Sequence, residues 1–423
     1  MNRRMVLKAL ASAAGTVLLP IGRSGWAAAL PQEQKQGRRL IVLMLRGAVD
    51  GLSVVVPYAD SAYYRARSSI AIARPGNEGG VLDLDRHFGL HPALSALMPY
   101  WKNGTLAFVQ ASGSPNSSRS HFEAQDFMET GTPGVANTPD GWMNRLLGTT
   151  SGLHADARGI SLGDALPRIF SGPVSVATVS LGRHAAQLKP MDRDRVASAF
   201  DQMYAGKDAL KQAYQSGRDA RTEMLSDLGD EGMSADAMAE TKVADAGAPS
   251  PKGFQIEAAQ LAQIMRRDSK IRMAFLALGG WDTHVRQGNA KGQLGGHLQP
   301  LGEGLALLAQ QLGPLYSESI IVVMSEFGRT VHENGNGGTD HGHGNVMWIM
   351  GGNVGGSKVY GDWPGLEDAA LYQRRDLAVT TDFRSVLIRV AERHLQLSES
   401  QLVQVFPESP TNESYKLKGL LNT

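Results

Sequence analysis

The chain contains no cysteine. That excludes disulfides, thiolate metal sites and a cysteine nucleophile together, so any metal must be held by His, Asp or Glu, and the chain can enter an oxidising compartment without mispairing. Charge bias is lacking too. The 42 Lys and Arg against 41 Asp and Glu leave a net charge of +1, which excludes a global pull toward nucleic acid or anionic membrane. No stretch reaches the roughly 20 strongly apolar residues that a membrane span needs. There is no G-x-G-x-x-G turn after a strand, no C-x-x-C-H and no internal repeat, so a dinucleotide- or haem-dependent oxidoreductase has little support. What remains, at 423 residues with 42% hydrophobic and 20% charged, is a globular composition able to bury one large core or two modest ones.

The N-terminus, MNRRMVLKALASAAGTVLLPIGRSGWAAA, has a basic start, a moderately apolar run from Ala9 to Ile21 and small residues at Ala27 to Ala29. It reads as a cleavable export signal over residues 1–29, leaving a mature chain from about Leu30 with no stable membrane span. Arg3-Arg4 resembles the twin-arginine motif, which implies the export machinery for folded proteins as a partner and a periplasmic or otherwise exported location.

In the mature chain, RRLIVLMLRGAVDG is a continuous apolar run that opens into a polar loop, the pattern of a buried strand. HPALSALMPYWKNG has helical spacing and TLAFVQASGS is a second strand, so a βαβ unit is the economical reading. The alternation returns late, with a helix at about 254–267, the strand IRMAFLALGG, a helix at about 298–312 and the strand SIIVVMSEF. The expectation is an α/β fold, a doubly wound and mostly parallel sheet flanked by helices, occupying residues 30–423 as one domain. At about 190–253 the chain turns charged and alanine-rich, then proline-punctuated, which reads as a helical insertion and linker.

Four polar clusters follow the four strands and would converge at one sheet edge: Asp50, then SSRSHFEAQD, then GGWDTH, then SEFGRT with GTDHGHG. Asp282 and His284 lie two apart, as do His341 and His343 beside Asp340, a spacing with which an extended loop can direct both side chains to one ion. Such ligands suit Zn²⁺, Mn²⁺ or a similar divalent ion. Ser120 to Glu123 fits a capping box, so a helix starts there and Ser118 or Ser120 stands where a nucleophile is helped by the helix dipole. Arg119 or Arg329 is then available to clamp a phosphate or sulfate.

Together RGAVDG, SRSHFEAQDFMETG, GGWDTH, MSEFGRT and GTDHGHGN closely resemble the bacterial family called domain of unknown function 1501, over essentially the whole mature chain. The resemblance implies an alkaline-phosphatase-like fold, in the alkaline phosphatase and sulfatase-like superfamily, and twin-arginine export. It also implies a metal-dependent site of the phosphatase or sulfatase type, without supplying a substrate. Carried over by residue, Asp50 matches an aspartate after the first strand and Ser118 or Ser120 the nucleophile. Glu326 matches an acidic ligand, and His341 or His343 a downstream histidine. The adjacent Asp-His of the superfamily is absent, because Glu326 is followed by Phe327. The candidate metal ligands are therefore Asp50, Asp282, His284, Glu326, Asp340, His341 and His343, and the candidate catalytic residues Ser118, Ser120, His121 and Arg329. The expected function is hydrolysis of a phosphate or sulfate ester by a metal-activated serine or water; the alternative is a non-catalytic exported binding or assembly protein that keeps the fold and one metal.

Overall fold

A computed structural model describes residues 37–150, 157–180, 243–408 and 417–422. The export-signal reading of 1–29 and the insertion up to residue 242 lie outside the described residues. Arg38–Thr423 forms one compact unit. Among the described residues no helix is long and apolar enough to cross a membrane.

The apolar runs become the central strands. These are β1 (Arg39–Leu45), β2 (Leu106–Gly113), β3 (Arg158–Leu162), β4 (Ala177–Val179), β5 (Ile271–Leu278), β6 (Ser319–Ser325), β7 (Asn345–Gly351), β8 (Lys358–Tyr360) and β9 (Thr381–Asp382). Their order is β8-β2-β7-β6-β1-β5-β3-β4, with β9 beside the end of β2. β1 lies at the centre, parallel to both neighbours, with Leu40 opposite Met273 and Ile320. Alternation along it feeds two layers. Ile41, Leu43 and Leu45 join the core formed with α3 (Phe254–Arg267) and α4 (Gln293–Leu312). Leu40, Val42 and Met44 face the core of α2 (Trp142–Thr150) and α5 (Phe383–Arg393). Both sides of β1 are covered, which is why all seven of its residues are buried and the six after Arg39 are apolar.

Four local expectations change. β1 and β2 do not pair, because β6 and β7 stand between them. β7, for which no strand was expected, runs antiparallel to both β6 and β2. The segment HPALSALMPYWK is a 3₁₀ turn (Pro92–Leu97) with non-helical backbone at Leu94, followed by a short α-helix (Met98–Lys102), since Pro99 has no N–H to donate back into the preceding turn. α4 begins earlier than its apolar spacing suggested and carries Pro300 inside it.

β7 matters for the site. The C-terminal ends of β1, β2, β5 and β6 point to one edge, and the reversed β7 brings its N-terminal end, with the loop 339–344 before it, to the same edge. The described end of the linker, residues 243–250, lies against this edge as a strap. Gln125 Nε2 donates to Ala244 O at 2.6 Å, Arg46 Nη1 to Ala246 O at 3.3 Å, and Gly279 N to Pro249 O at 2.8 Å.

Candidate metal centre

The helix after β2, α1 (His121–Thr130), starts with His121, which is 6% exposed and faces the ends of β5 and β6. Its Nε2 lies 3.0 Å from His341 Nε2 and 3.7 Å from Asp282 Oδ1. His284 Nε2 lies 3.0 Å from His341 Nε2 and 3.0 Å from the same Asp282 oxygen, which is 3.3 Å from His341 Nε2. Two triangles of donor atoms thus share the His341–Asp282 edge. Tetrahedral ligation at about 2.0–2.1 Å implies ligand atoms about 3.3–3.4 Å apart. These separations bracket that value, and His121, Asp282 and His341 form a cluster that could hold a metal ion.

The outer nitrogens each face an acceptor. His341 Nδ1 faces the Arg119 carbonyl at 3.0 Å, His121 Nδ1 the Glu326 carboxylate at 2.7 Å, and His284 Nδ1 the Asp340 carboxylate at 3.1 Å. Each of these oxygens only accepts, so each Nδ1 donates, and once the imidazole is neutral its Nε2 lone pair faces inward. This is the outer support that metal-bound histidines use. Asp282, 4% exposed, has a second oxygen, Oδ2, buried without a hydrogen-bond partner among the described residues. Inward lone pairs beside an orphaned carboxylate oxygen fit a divalent cation with nitrogen and oxygen ligands. His341 and His284, with side chains 18% and 28% exposed, mark the side open to solvent.

The electrostatics agree. Burial opposes the charge of Asp282, but hydrogen bonds to the three histidines and the Arg329 charge hold it well below the usual carboxylate range. Burial likewise opposes a charged His121, yet its bonds to Asp282 and Glu326 outweigh this and push it up to about 9. The Asp282 bond raises His284 as well, against burial. Protons and a metal ion therefore compete for the same lone pairs.

The remaining candidates separate. Glu326, fully buried, does not face the centre; its Oε1 accepts from Gly47 N at 2.8 Å, His121 Nδ1 at 2.7 Å and Gln125 Nε2 at 3.0 Å. Asp340 reaches His284 from the exposed side. His343 stands apart, its Nε2 on Ser114 O at 3.0 Å and its ring 4.7 Å from Tyr372. Asp50, expected as a ligand, is instead in a buried bidentate pair with Arg67, because the turn after β1 buries its carboxylate beside that guanidinium. Arg329, expected as an anion clamp, is 1% exposed with its donors engaged. Nε bonds Ala48 O, Nη1 bonds Thr339 O and faces His284 Nε2, and Nη2 reaches Gly47 O, Trp281 O and Asp282 Oδ1. The capping box is not formed. Ser120 is the N-cap without a side-chain cap bond, while Glu123 takes the Ser118 hydroxyl at 2.7 Å and Ser118 Oγ accepts from Ser120 N at 3.3 Å.

The family described as "Protein of unknown function (DUF1501)" matches residues 37–406. The chain belongs to this family. No curated protein matches it in sequence. Among solved structures it is similar to Ps i-CgsB in complex with k-i-k-neocarrahexaose, at 10% identity and a TM-score of 0.42, covering 91% of this chain and 77% of that one. It is also similar to a protein in the alkaline phosphatase superfamily from Vibrio parahaemolyticus, at 10% identity and a TM-score of 0.35, covering 76% of this chain and 62% of that one. A third is the C-terminal periplasmic domain of EcEptC from Escherichia coli in complex with Zn, at 10% identity and a TM-score of 0.33, with 75% and 74% covered. The mostly parallel sheet flanked by helices is the architecture this DUF1501 chain was expected to have.

Several residues of the site in this DUF1501 chain were not singled out from sequence. Gln125 lies four residues after His121 on the same helix face, a spacing that could have flagged it. Gln287, Arg67 and Asp245 carry no such signal. Asp245 Oδ1 accepts Gly280 N at 2.7 Å, and a Cβ on Gly279 would come within 2.5 Å of its Cγ. Burial, together with the Glu326 and Asp282 charges and against the Gly280 bond, raises this carboxyl to about 7.

Proposed function

We propose that the protein is an exported, metal-dependent hydrolase of a phosphate or sulfate ester. The observation that carries this reading is the convergence of three Nε2 atoms, each with its Nδ1 against an oxygen, on Asp282 with its orphaned oxygen. His121, Asp282, His284 and His341 would hold the ion. When bound, such an ion polarises an ester oxygen and lowers the pKa of a coordinated water or serine.

The chain's own residues have distinct tasks in this reading. Glu326, Asp340 and the Arg119 carbonyl keep the imidazoles in the ligand tautomer. Arg329 anchors Asp282 and, because its donors are engaged, keeps the carboxylate charged rather than binding substrate. Ser120 stands directly before His121 with an exposed hydroxyl that makes no cap bond, which favours it over the Glu123-bound Ser118 as the attacking hydroxyl; water is the other nucleophile. The first turn of α1 offers backbone N–H groups to an anionic ester. Export by the twin-arginine route, with the folded and loaded chain crossing to the periplasm, rests on the Arg3-Arg4 segment.

Asp282→Ala and His341→Ala are expected to lose bound metal, measured by elemental mass spectrometry, together with turnover in a panel of phosphate and sulfate esters. Full activity in either metal-free variant would sink the proposal. Ser120→Ala separates the nucleophiles. Retained metal with turnover down at least about a hundredfold assigns serine, and unchanged turnover assigns water.

A further inference from the structure

The charge around the centre is unusual in its composition. Three carboxylates there are almost fully buried, Asp50, Asp282 and Glu326, and two guanidiniums are buried with them, Arg67 and Arg329. With the imidazoles in the neutral form that holds a metal, these buried groups sum to one negative charge, and Asp340, bonded to His284 from the exposed side, adds a second. A single divalent ion balances these charges. A second would leave two uncompensated positive charges in a site of low dielectric.

Geometry reinforces the count. Asp50 is 0% exposed and its carboxylate is engaged by Arg67 and Gln287. Oδ2 accepts Arg67 Nη1 at 2.5 Å and Gln287 Nε2 at 2.7 Å, and Oδ1 accepts Arg67 Nη2 at 3.0 Å. Arg67, also 0% exposed, uses its other donors on Val331 O, Thr330 O and Ser53 Oγ, each at 2.9 Å. A metal ion at Asp50 would strand a buried guanidinium with no route to water, whose cost exceeds what one monodentate ligand returns.

The same pair is wired to the ligand loops. Gln287 donates to Asp50 through Nε2, and its Oε1 accepts Thr283 Oγ1 at 2.8 Å and Thr339 Oγ1 at 2.9 Å. Thr283 separates Asp282 from His284, and Thr339 precedes Asp340 and His341, so one amide holds both ligand-bearing loops against the Asp50–Arg67 pair.

We propose that the centre takes one divalent ion per chain, with Arg67 and Arg329 supplying as fixed guanidinium charge what a second ion would supply, and with Gln287 as the positioning residue that couples the Asp50–Arg67 pair to the ligand loops. This rests on the metal-centre reading above. The test loads the full mature protein with excess Mn²⁺ or Zn²⁺, removes free ion and counts metal by native mass spectrometry. Electron paramagnetic resonance of the Mn²⁺ form gives an independent count. One equivalent and the six-line signal of an isolated ion are expected, with the stoichiometry unchanged in Asp50→Asn. Gln287→Leu is expected to keep one equivalent while raising the metal Kd about 10–100-fold, with a thermal midpoint that moves far less than the affinity.

Two equivalents in the wild type, or an exchange-coupled Mn²⁺ signal, overturn the inference while leaving the metal-centre reading intact. No bound ion overturns both. An unchanged Kd in Gln287→Leu overturns the positioning role. Should Asp50→Asn fail to fold, the wild-type count and resonance signal decide the stoichiometry.

Discussion

Glu326→Gln tests whether Glu326 is a ligand or the support of one. The substitution is isosteric, and the amide oxygen can replace Oε1, which accepts the Gly47, His121 and Gln125 donors. Its NH₂ group would then face Ser325 Oγ, which lies 3.0 Å from Oε2 and has an oxygen able to accept. Shape and hydrogen-bond count survive; the charge does not. A hydrogen bond to a charged group contributes about 1.5–3 kcal/mol, against about 1 for a neutral one, so the bond that orients His121 weakens by about 0.5–2 kcal/mol. Loss of such support typically lowers metal affinity 10–100-fold, about 1.4–2.7 kcal/mol, which agrees with that weakening. Competition against a chromophoric chelator should therefore show a Kd raised 10–100-fold, with one equivalent still bound at saturation. Loss of the equivalent at saturating metal would make Glu326 a ligand itself and refute the supporting role. An unchanged Kd would show that His121 does not hold the ion.

Two further predictions concern the scaffold. Burial pushes both His91 and His394 down to about 4, while Asn289 O and Arg39 O accept their Nε2 protons. Both are neutral when folded, so their contribution is complete above the unfolded value near 6.5 and is lost as pH falls toward 4, at up to about 3 kcal/mol each. Urea unfolding between pH 7 and 4 should show this slope, and a His91→Gln/His394→Gln double variant should flatten it; an unflattened slope refutes the assignment. A Cβ on Gly328 would lie 1.8 Å from Gly344 O, a backbone atom of the facing loop. Gly328→Ala should therefore separate the loops of Glu326 and His341, with a stability loss of about 1–3 kcal/mol and weaker metal binding, and wild-type thermal unfolding in the variant would contradict the contact.

Gly279 links the sequence motif to a residue far away in the chain. In GGWDTH the first glycine reads as a turn residue, but its space is taken by the Asp245 carboxyl from the strap at 243–250. Part of a segment read as a flexible linker is thus tied to the wall of the centre, through Ala244, Asp245, Ala246 and Pro249.

What the sequence by itself determined was whatever depends on local period and composition. Apolar runs became β1, β5 and β6, buried along most or all of their length, and the polar clusters had to fall at their ends because the runs stop there. Absence of cysteine restricted any metal to the His and carboxylate clusters. Only the tertiary structure decided which cluster members meet. His284 and His341 reach one point, whereas His343, two residues on, turns to Ser114, because reversal of β7 fixes the direction of each side chain in the loop before it. Asp50 and Arg67 are 17 positions apart, and Asp50 and Gln287 are 237 apart. No short-range spacing signals such partners. Whether a carboxylate at a strand end holds a metal or a guanidinium depends on which buried charge the fold sets beside it, and that is a property of packing rather than of the residue.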